Sequence, residues 1–379
     1  LATAGTAQAG GGSTITLSAA AGASSIDDTY NSLSVYISSG TGAGQSRTIS
    51  DYVGLTRVAT VSSAWTTNPD ATSVYEVSGP LTVRGTSSFQ TTATDADIFL
   101  GTTTTRGPNS LGDGNGTDTI TLNTTGSGGD ATLDNGTTVI VLGTSAASLA
   151  TSVGGNLTLQ TGNASGITDS ATVTVGGRFY ATTDDNNGVI NMDGLNILDG
   201  GTIKLTTDGS GNATVVNALG LAFETSSIGG DLVATATNGD ITQNGVLDIN
   251  GASSFQTSTS GKHISLTQAN ALGDGSGTDT ITLNTSGTLG YVKLITTGGT
   301  DALAFGTSAA ASLATSVGGY LTITARSAIA DSHGLTITGD TTISAVNSSG
   351  VNQNVILNHP SNNFTGAVGV TGAAVQLVD

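Results

Sequence analysis

No cysteine occurs among the 379 residues, so a disulfide framework, a thiolate nucleophile and Cys-ligated zinc are excluded. Cations are almost as scarce: nine Lys and Arg stand against 27 Asp and Glu, a formal net charge of −18. Phosphate neutralisation needs clustered cations. Lys204, Lys262, Lys293, Arg47, Arg57, Arg84, Arg106, Arg178 and Arg326 lie far apart along the chain, which argues against a nucleic-acid binder and against anionic membrane surfaces. Long apolar runs are missing too. Stretches such as Val139–Leu142 fall far short of the roughly 20 residues of a spanning helix, so a membrane-spanning protein is not expected. Aromatics make up 4% and charged residues 9%, a composition unlike that of an ordinary globular enzyme and closer to a structural protein.

What is present is glycine (56), threonine (67) and a 36% hydrophobic fraction spread as Val, Ile and Leu at short intervals, too much apolar material for a disordered chain. Apolar and polar residues alternate in Thr14-Ile15-Thr16-Leu17, Thr119-Ile120-Thr121-Leu122, Leu157-Thr158-Leu159, Thr172-Val173-Thr174-Val175 and Leu321-Thr322-Ile323-Thr324, the period of a β-strand. Turn clusters such as residues 126–130 and 184–188 separate such segments. Only residues 145–149 and 308–313 could hold a helical turn. A chain starting at Leu1 reads as a processed or internal segment.

Internal repetition is the most specific feature. Residues 111–123 recur at 272–284 with one change, Ser276 for Asn115, and Ser148 to Gly155 returns as residues 312–319. Ser-x-Gly-Gly occurs at 152–155, 227–230 and 316–319, each time followed by a strand. A second landmark is an alternating strand, a glycine, then an apolar residue four positions on: Leu81/Val83/Gly85/Phe89, Val173/Val175/Gly176/Tyr180, Leu247/Ile249/Gly251/Phe255 and Leu335/Ile337/Gly339/Ile343. These predict an all-β chain whose residues 78–379 form a parallel β-helix (β-solenoid), with Phe89, Tyr180 and Phe255 stacked inside. At about 20 residues per coil, on the order of 15 coils would make a rod about 70 Å long. Residues 1–77 lack both landmarks but hold Trp65, Tyr30, Tyr36, Tyr52 and Tyr75, and predict a small antiparallel β module with strands at 14–17, 34–37, 47–50, 57–61 and 74–77.

Ser227-Ile228-Gly229-Gly230-Asp231-Leu232 with Asn238-Gly239-Asp240-Ile241-Thr242-Gln243, residues 251–257, and Asn362-Asn363-Phe364-Thr365-Gly366-Ala367-Val368 with Val370-Thr371-Gly372 resemble the filamentous-haemagglutinin-like repeats of giant bacterial surface proteins. The resemblance covers about residues 78–379 and implies a right-handed parallel β-helix with a role in adhesion or extracellular scaffolding. Residues 39–47, Thr56-Arg57-Val58-Ala59 and residues 65–75 are similar to a small β module of phage virion and tail proteins, which implies an attachment or structural role.

Candidate chemistry is sparse. Residues 113–120 and 274–281 approach the calcium-binding nonapeptide, so Asp113, Asn115, Asp118, Asp274 and Asp279 are candidate Ca²⁺ ligands, with an ordinary turn as the other reading; no cofactor is otherwise required. Asp184-Asp185 with Asp193 is the nearest approach to a catalytic carboxylate cluster, but it lies in a turn rich in Asn and Gly and reads as a solvated loop; no catalytic residue is assigned. His263, His333 and His359 fall in what read as unrelated coils. Thr-x-Thr pairs (119/121, 172/174, 280/282, 322/324, 336/338) could form a flat ice- or sugar-binding array or simply mark alternating strands. The expectation is a non-enzymatic extracellular or cell-surface scaffold or adhesin, its partners being copies of itself, adjoining repeats of a longer chain, or surface glycans. Residues 375–379 look like an unblocked strand end that invites head-to-tail stacking. The alternative is a phage-tail-like carbohydrate-binding or polysaccharide-cleaving β-helix.

Overall fold

The computed structural model describes residues 2–101, 108–144, 149–184, 187–273, 279–297, 302–306 and 313–379. These form strands and turns, with no helix among them. The possible helical turns at 145–149 and 308–313 lie almost wholly outside the described residues. Two compact units emerge: residues 1–83 with 100–110, and residues 84–99 with 111–379.

The first unit carries a seven-stranded antiparallel sheet. Its strands Thr14–Thr16, Ser34–Ser39, Ser46–Val53, Val58–Val61 and Val74–Ser78 match the expected five, and Thr3–Thr6 and Ala9–Gly11 add two that lack alternation. Ile15, Val35, Ile37, Ile49 and Val77 are buried with Tyr30, Tyr52, Trp65 and Tyr75. Buried phenols need polar partners. The Tyr75 hydroxyl accepts the Ser18 N–H (2.8 Å), Tyr30 accepts the Ser24 N–H (2.9 Å), and Tyr52 donates to the Ser24 carbonyl (2.5 Å). Tyr52 and Tyr75 thus hold the 17–33 connection against the sheet, and Tyr30 braces it from within.

From residue 82 on, parallel strands wind into about 11 turns. Coils are longer and fewer than expected. In-register partners Leu157, Phe179 and Ile203 are 22 and 24 residues apart, and Ile264, Val292 and Leu321 are 28 and 29 apart. At roughly 4.8 Å per rung, the solenoid is about 50 Å long. Most strands bury alternate residues: Phe179, Ala181 and Thr183 face inward while Tyr180 and Thr182 do not. Inside, Phe223 and Phe255 meet edge to face at 6.4 Å.

The interior stack prediction holds for Phe255, which is fully buried. Phe89 pairs with buried Leu122 but is only half-buried. Tyr180 is a correction: it faces outward, and Phe179 and Ala181 take the inward positions. Two consecutive glycines, Gly176 and Gly177, give two possible origins for the four-residue count. The amide of Gly177 bonds the Gly155 carbonyl (2.8 Å) as that of Gly251 bonds Gly230 (2.9 Å), so Gly177 is the equivalent corner and Ala181, four residues on, matches Phe255.

The Ser-x-Gly-Gly copies share one corner geometry. Thr124, Thr207 and Thr285 each donate Oγ1–H to a glycine carbonyl a few residues on (Gly129, Gly211, Gly290). The same oxygens accept the amides of Gly154, Gly229 and Gly318 from the following coil, at 3.0, 2.9 and 3.0 Å. A Cβ on those glycines would lie 2.0, 2.2 and 1.4 Å from the carbonyls of Gly126, Gly209 and Gly287. Only a residue without a side chain fits there. The repeat separated by 161 residues reproduces the contacts as well as the letters: Leu122 N–H to Thr151 Oγ1 (3.2 Å) returns as Leu283 to Thr315 (3.1 Å).

Candidate functional site

One parallel sheet runs the length of the solenoid through strands Leu157–Thr161, Phe179–Thr183, Ile203–Thr206, Leu221–Phe223, Ile241–Gln243, Ile264–Leu272, Val292–Thr296, Leu321–Ala325 and Thr341–Ala345. Its outer side gathers the lysines and tyrosines that the rest of the solenoid lacks. All three lysines of the chain and all three tyrosines after residue 77 stand on this sheet or in the turns entering it: Tyr180 and Lys204 in register, Lys262, Tyr291, Lys293 and Tyr320. Consecutive members stand up to 58 residues apart along the chain, and coiling brings them within a few rungs, so the lysines are less scattered in space than in sequence. Six rungs, about 30 Å, separate the Phe179 and Leu321 strands.

Two polar-aromatic clusters form. In the first, Tyr180 reaches across Lys204 to donate its hydroxyl to Glu224 (2.6 Å); Thr202 donates to the same carboxylate (2.6 Å), and Arg178 pairs with it at 3.2 Å. Lys204 Nζ lies 5.8 Å from the Tyr180 ring centroid. Partial burial alone would raise the Glu224 carboxyl, but bonds from Thr202 and Tyr180 and the charges of Arg178 and Lys204 outweigh it and hold the group below its ordinary value. The bond to Glu224, reinforced by burial, raises the Tyr180 phenol.

In the second cluster, His263, Tyr291 and Tyr320, each one residue before its strand, stack along the solenoid: centroids 3.8 Å apart for His263–Tyr291 and 4.7 Å for Tyr291–Tyr320. Lys293 Nζ stands 5.3 and 5.8 Å from the two tyrosine rings. His263 Nδ1 accepts the Tyr291 amide (3.2 Å), and Asp240, one rung earlier, accepts the His263 amide (2.8 Å). Beside this stack, Gly220 and Ala222 leave a groove of about 490 Å³, lined also by Leu198, Asp199, Thr202, Leu219, Asn238, Asp240, Thr242 and Lys262.

The residues singled out from sequence lie elsewhere. Asp113 and Asp118 sit in a turn closed on itself: Asp118 accepts the Asp113 amide (2.9 Å), and Asp113 accepts both the Asn115 side chain (2.6 Å) and its amide (3.2 Å). Asp279 packs against Gly273 as Asp118 packs against Gly112. Asp274 lies outside the described residues, and among the described residues no three His, Asp or Glu side chains gather as metal ligands. Asp184 accepts from Gln160 (2.7 Å), and Asp185 is not described. Asp193 instead neighbours Asp169, which accepts the amides of Asp193 (3.0 Å) and Gly194 (2.8 Å); burial, with the Asp193 charge, raises Asp169 despite those bonds. His333 and His359 are not in unrelated coils: their rings are parallel within 13°, centroids 6.2 Å apart. The threonine pairs do not make one flat array, because Thr121 and Thr282 are fully buried and donate to the carbonyls of Gly143 and Gly306.

Comparison with known proteins places residues 210–279 and 296–371 in a family model described as repeats of unknown function (DUF5649). No curated protein and no solved structure matches the chain. Within the matched segments, Ser227-Ile228-Gly229-Gly230 leads into strand Leu232–Ala236, and Ser316-Val317-Gly318-Gly319 into Leu321–Ala325, yet the two strands lie in different sheets. One corner serves more than one face of the coil.

Proposed function

We propose that this is a non-enzymatic structural and adhesive repeat protein, working outside the cell or at its surface as a β-solenoid scaffold related to haemagglutinin-like repeats. One observation supports it above others: carboxylates and amides at the coil corners are spent on the next coil's backbone. Asp97, Asp130 and Asn156 accept the amides of Asp130 (2.9 Å), Asn156 (2.7 Å) and Arg178 (2.9 Å), and Asn212 and Asp231 accept those of Asp231 and Ala252 (2.8 Å each). Groups committed in this way hold a stack together and are poorly placed for acid–base work.

The test has two arms. Beads coated with the purified chain should be retained on cells or glycan surfaces, and incubation with diverse polysaccharides should release no reducing ends or unsaturated products. Release of either product overturns the non-enzymatic reading, and beads that adhere to nothing overturn the adhesive one. A carbohydrate-binding protein of the phage-tail kind is the second reading, favoured by the tyrosine–lysine face.

A further inference from the structure

We propose that the outer face spanning Tyr180 to Tyr320 binds a linear carboxylated polysaccharide lying along the solenoid axis. In a chain of net charge −18, every lysine faces this strip, and among the described residues none of the three has a carboxylate within ion-pairing distance. Lys204 and Lys293 are held over tyrosine rings, which fixes their direction; Lys204 also shares its charge with Glu224, which leaves Lys262 and Lys293 as the cations most open to an anionic ligand. A neutral glycan would leave those charges unused.

Between them, the floor of Gly220 and Ala222 gives a chain room to lie. Along the groove, Asp199 and the Asp240 oxygen not bonded to the His263 amide offer hydroxyl-accepting groups, and Leu198, 42% exposed, offers an apolar surface. This alternation of ammonium and carboxylate matches a polymer that carries both a carboxylate and hydroxyls on each sugar. It disfavours an acidic peptide, which brings carboxylates without hydroxyls. Nucleic acid fits worse: Tyr291 has both ring faces covered, by His263 and Tyr320, and so offers no platform for a base.

The proposal deepens the adhesive reading by naming its ligand, and rests on it for biological setting only. Calorimetric titration of the full chain with polygalacturonate and alginate oligomers should show binding that weakens with salt. The variant Lys204→Gln/Lys262→Gln/Lys293→Gln should bind about tenfold or more weakly. Arg84→Gln, at an exposed cation away from this sheet's strands, should bind as the parent does, and matched melting curves confirm that both variants fold. Absent binding, equal binding of poly-glutamate or a neutral dextran, or a triple variant as tight as the parent overturns the proposal. Cell retention that survives in the triple variant removes this site while leaving the adhesive reading standing; polyuronate binding without any cell retention does the reverse.

Discussion

The Gly318 amide lies 3.0 Å from Thr285 Oγ1 of the preceding coil, and a Cβ on Gly318 would fall 1.4 Å from the Gly287 carbonyl. Threonine and glycine are therefore one device: the hydroxyl crosses between coils because the glycine lets the backbones approach. Gly318→Ala must push a backbone carbonyl aside, and should cost about 2–4 kcal/mol in urea unfolding. Gly369→Ala, whose nearest neighbour would be 3.9 Å away, should change stability by no more than about 0.5 kcal/mol. Equal effects would remove the close-approach argument.

Buried asparagines carry a second recurrent bond. Asn135, Asn217, Asn270 and Asn362 accept the amides of Leu111, Ile197, Leu247 and Leu335, at 2.7–2.9 Å, from inside the solenoid. Asn217→Leu leaves the Ile197 N–H and the Gly220 carbonyl without that partner, and should destabilise by about 1–3 kcal/mol. Thermal unfolding followed by circular dichroism reads this directly; an unchanged midpoint speaks against it.

Two acids should give pH dependences of opposite sign. Glu224 is held below its ordinary 4.5, so its stabilising contribution is present above that pH and is lost as the pH falls through the native value. The gap in melting temperature between the parent and Glu224→Gln should close in acid. Asp169 is raised above its ordinary 3.8, so its contribution is present below that value and lost as the pH rises through the native one. Asp169→Asn should flatten that loss, and parallel pH profiles for parent and variant would contradict the assignment.

The alternating strands and the Ser-x-Gly-Gly corners were legible because a period of two and a repeated tetrapeptide are local signals. The coil length was not: variable connections between strands, 19 residues from Ala213 to Leu232 but 28 from Ser253 to Ile281, carry no local mark. The outward position of Tyr180 is not legible, because Gly176-Gly177 offers two origins for one count. The tyrosine–lysine strip was invisible because its members are juxtaposed by coil stacking alone, although Tyr320 directly after Gly318-Gly319 occupies the place of Asp231 after Gly229-Gly230.

The Asp113–Asp118 turn already satisfies its carboxylates with its own N–H groups, so chelator treatment should leave the melting temperature unchanged. A rise on adding calcium, abolished by Asp118→Asn, would establish the metal reading instead.

The stacked parallel coil is the claim beneath all the others, and a density map of the whole chain that separates individual strands tests it most directly. About 11 parallel rungs roughly 4.8 Å apart are expected after residue 82, with Phe179, Ile203 and Phe223 superposed inside and Tyr180 and Lys204 outside. Two antiparallel sheets packed face to face over that region, or helices in it, would contradict it.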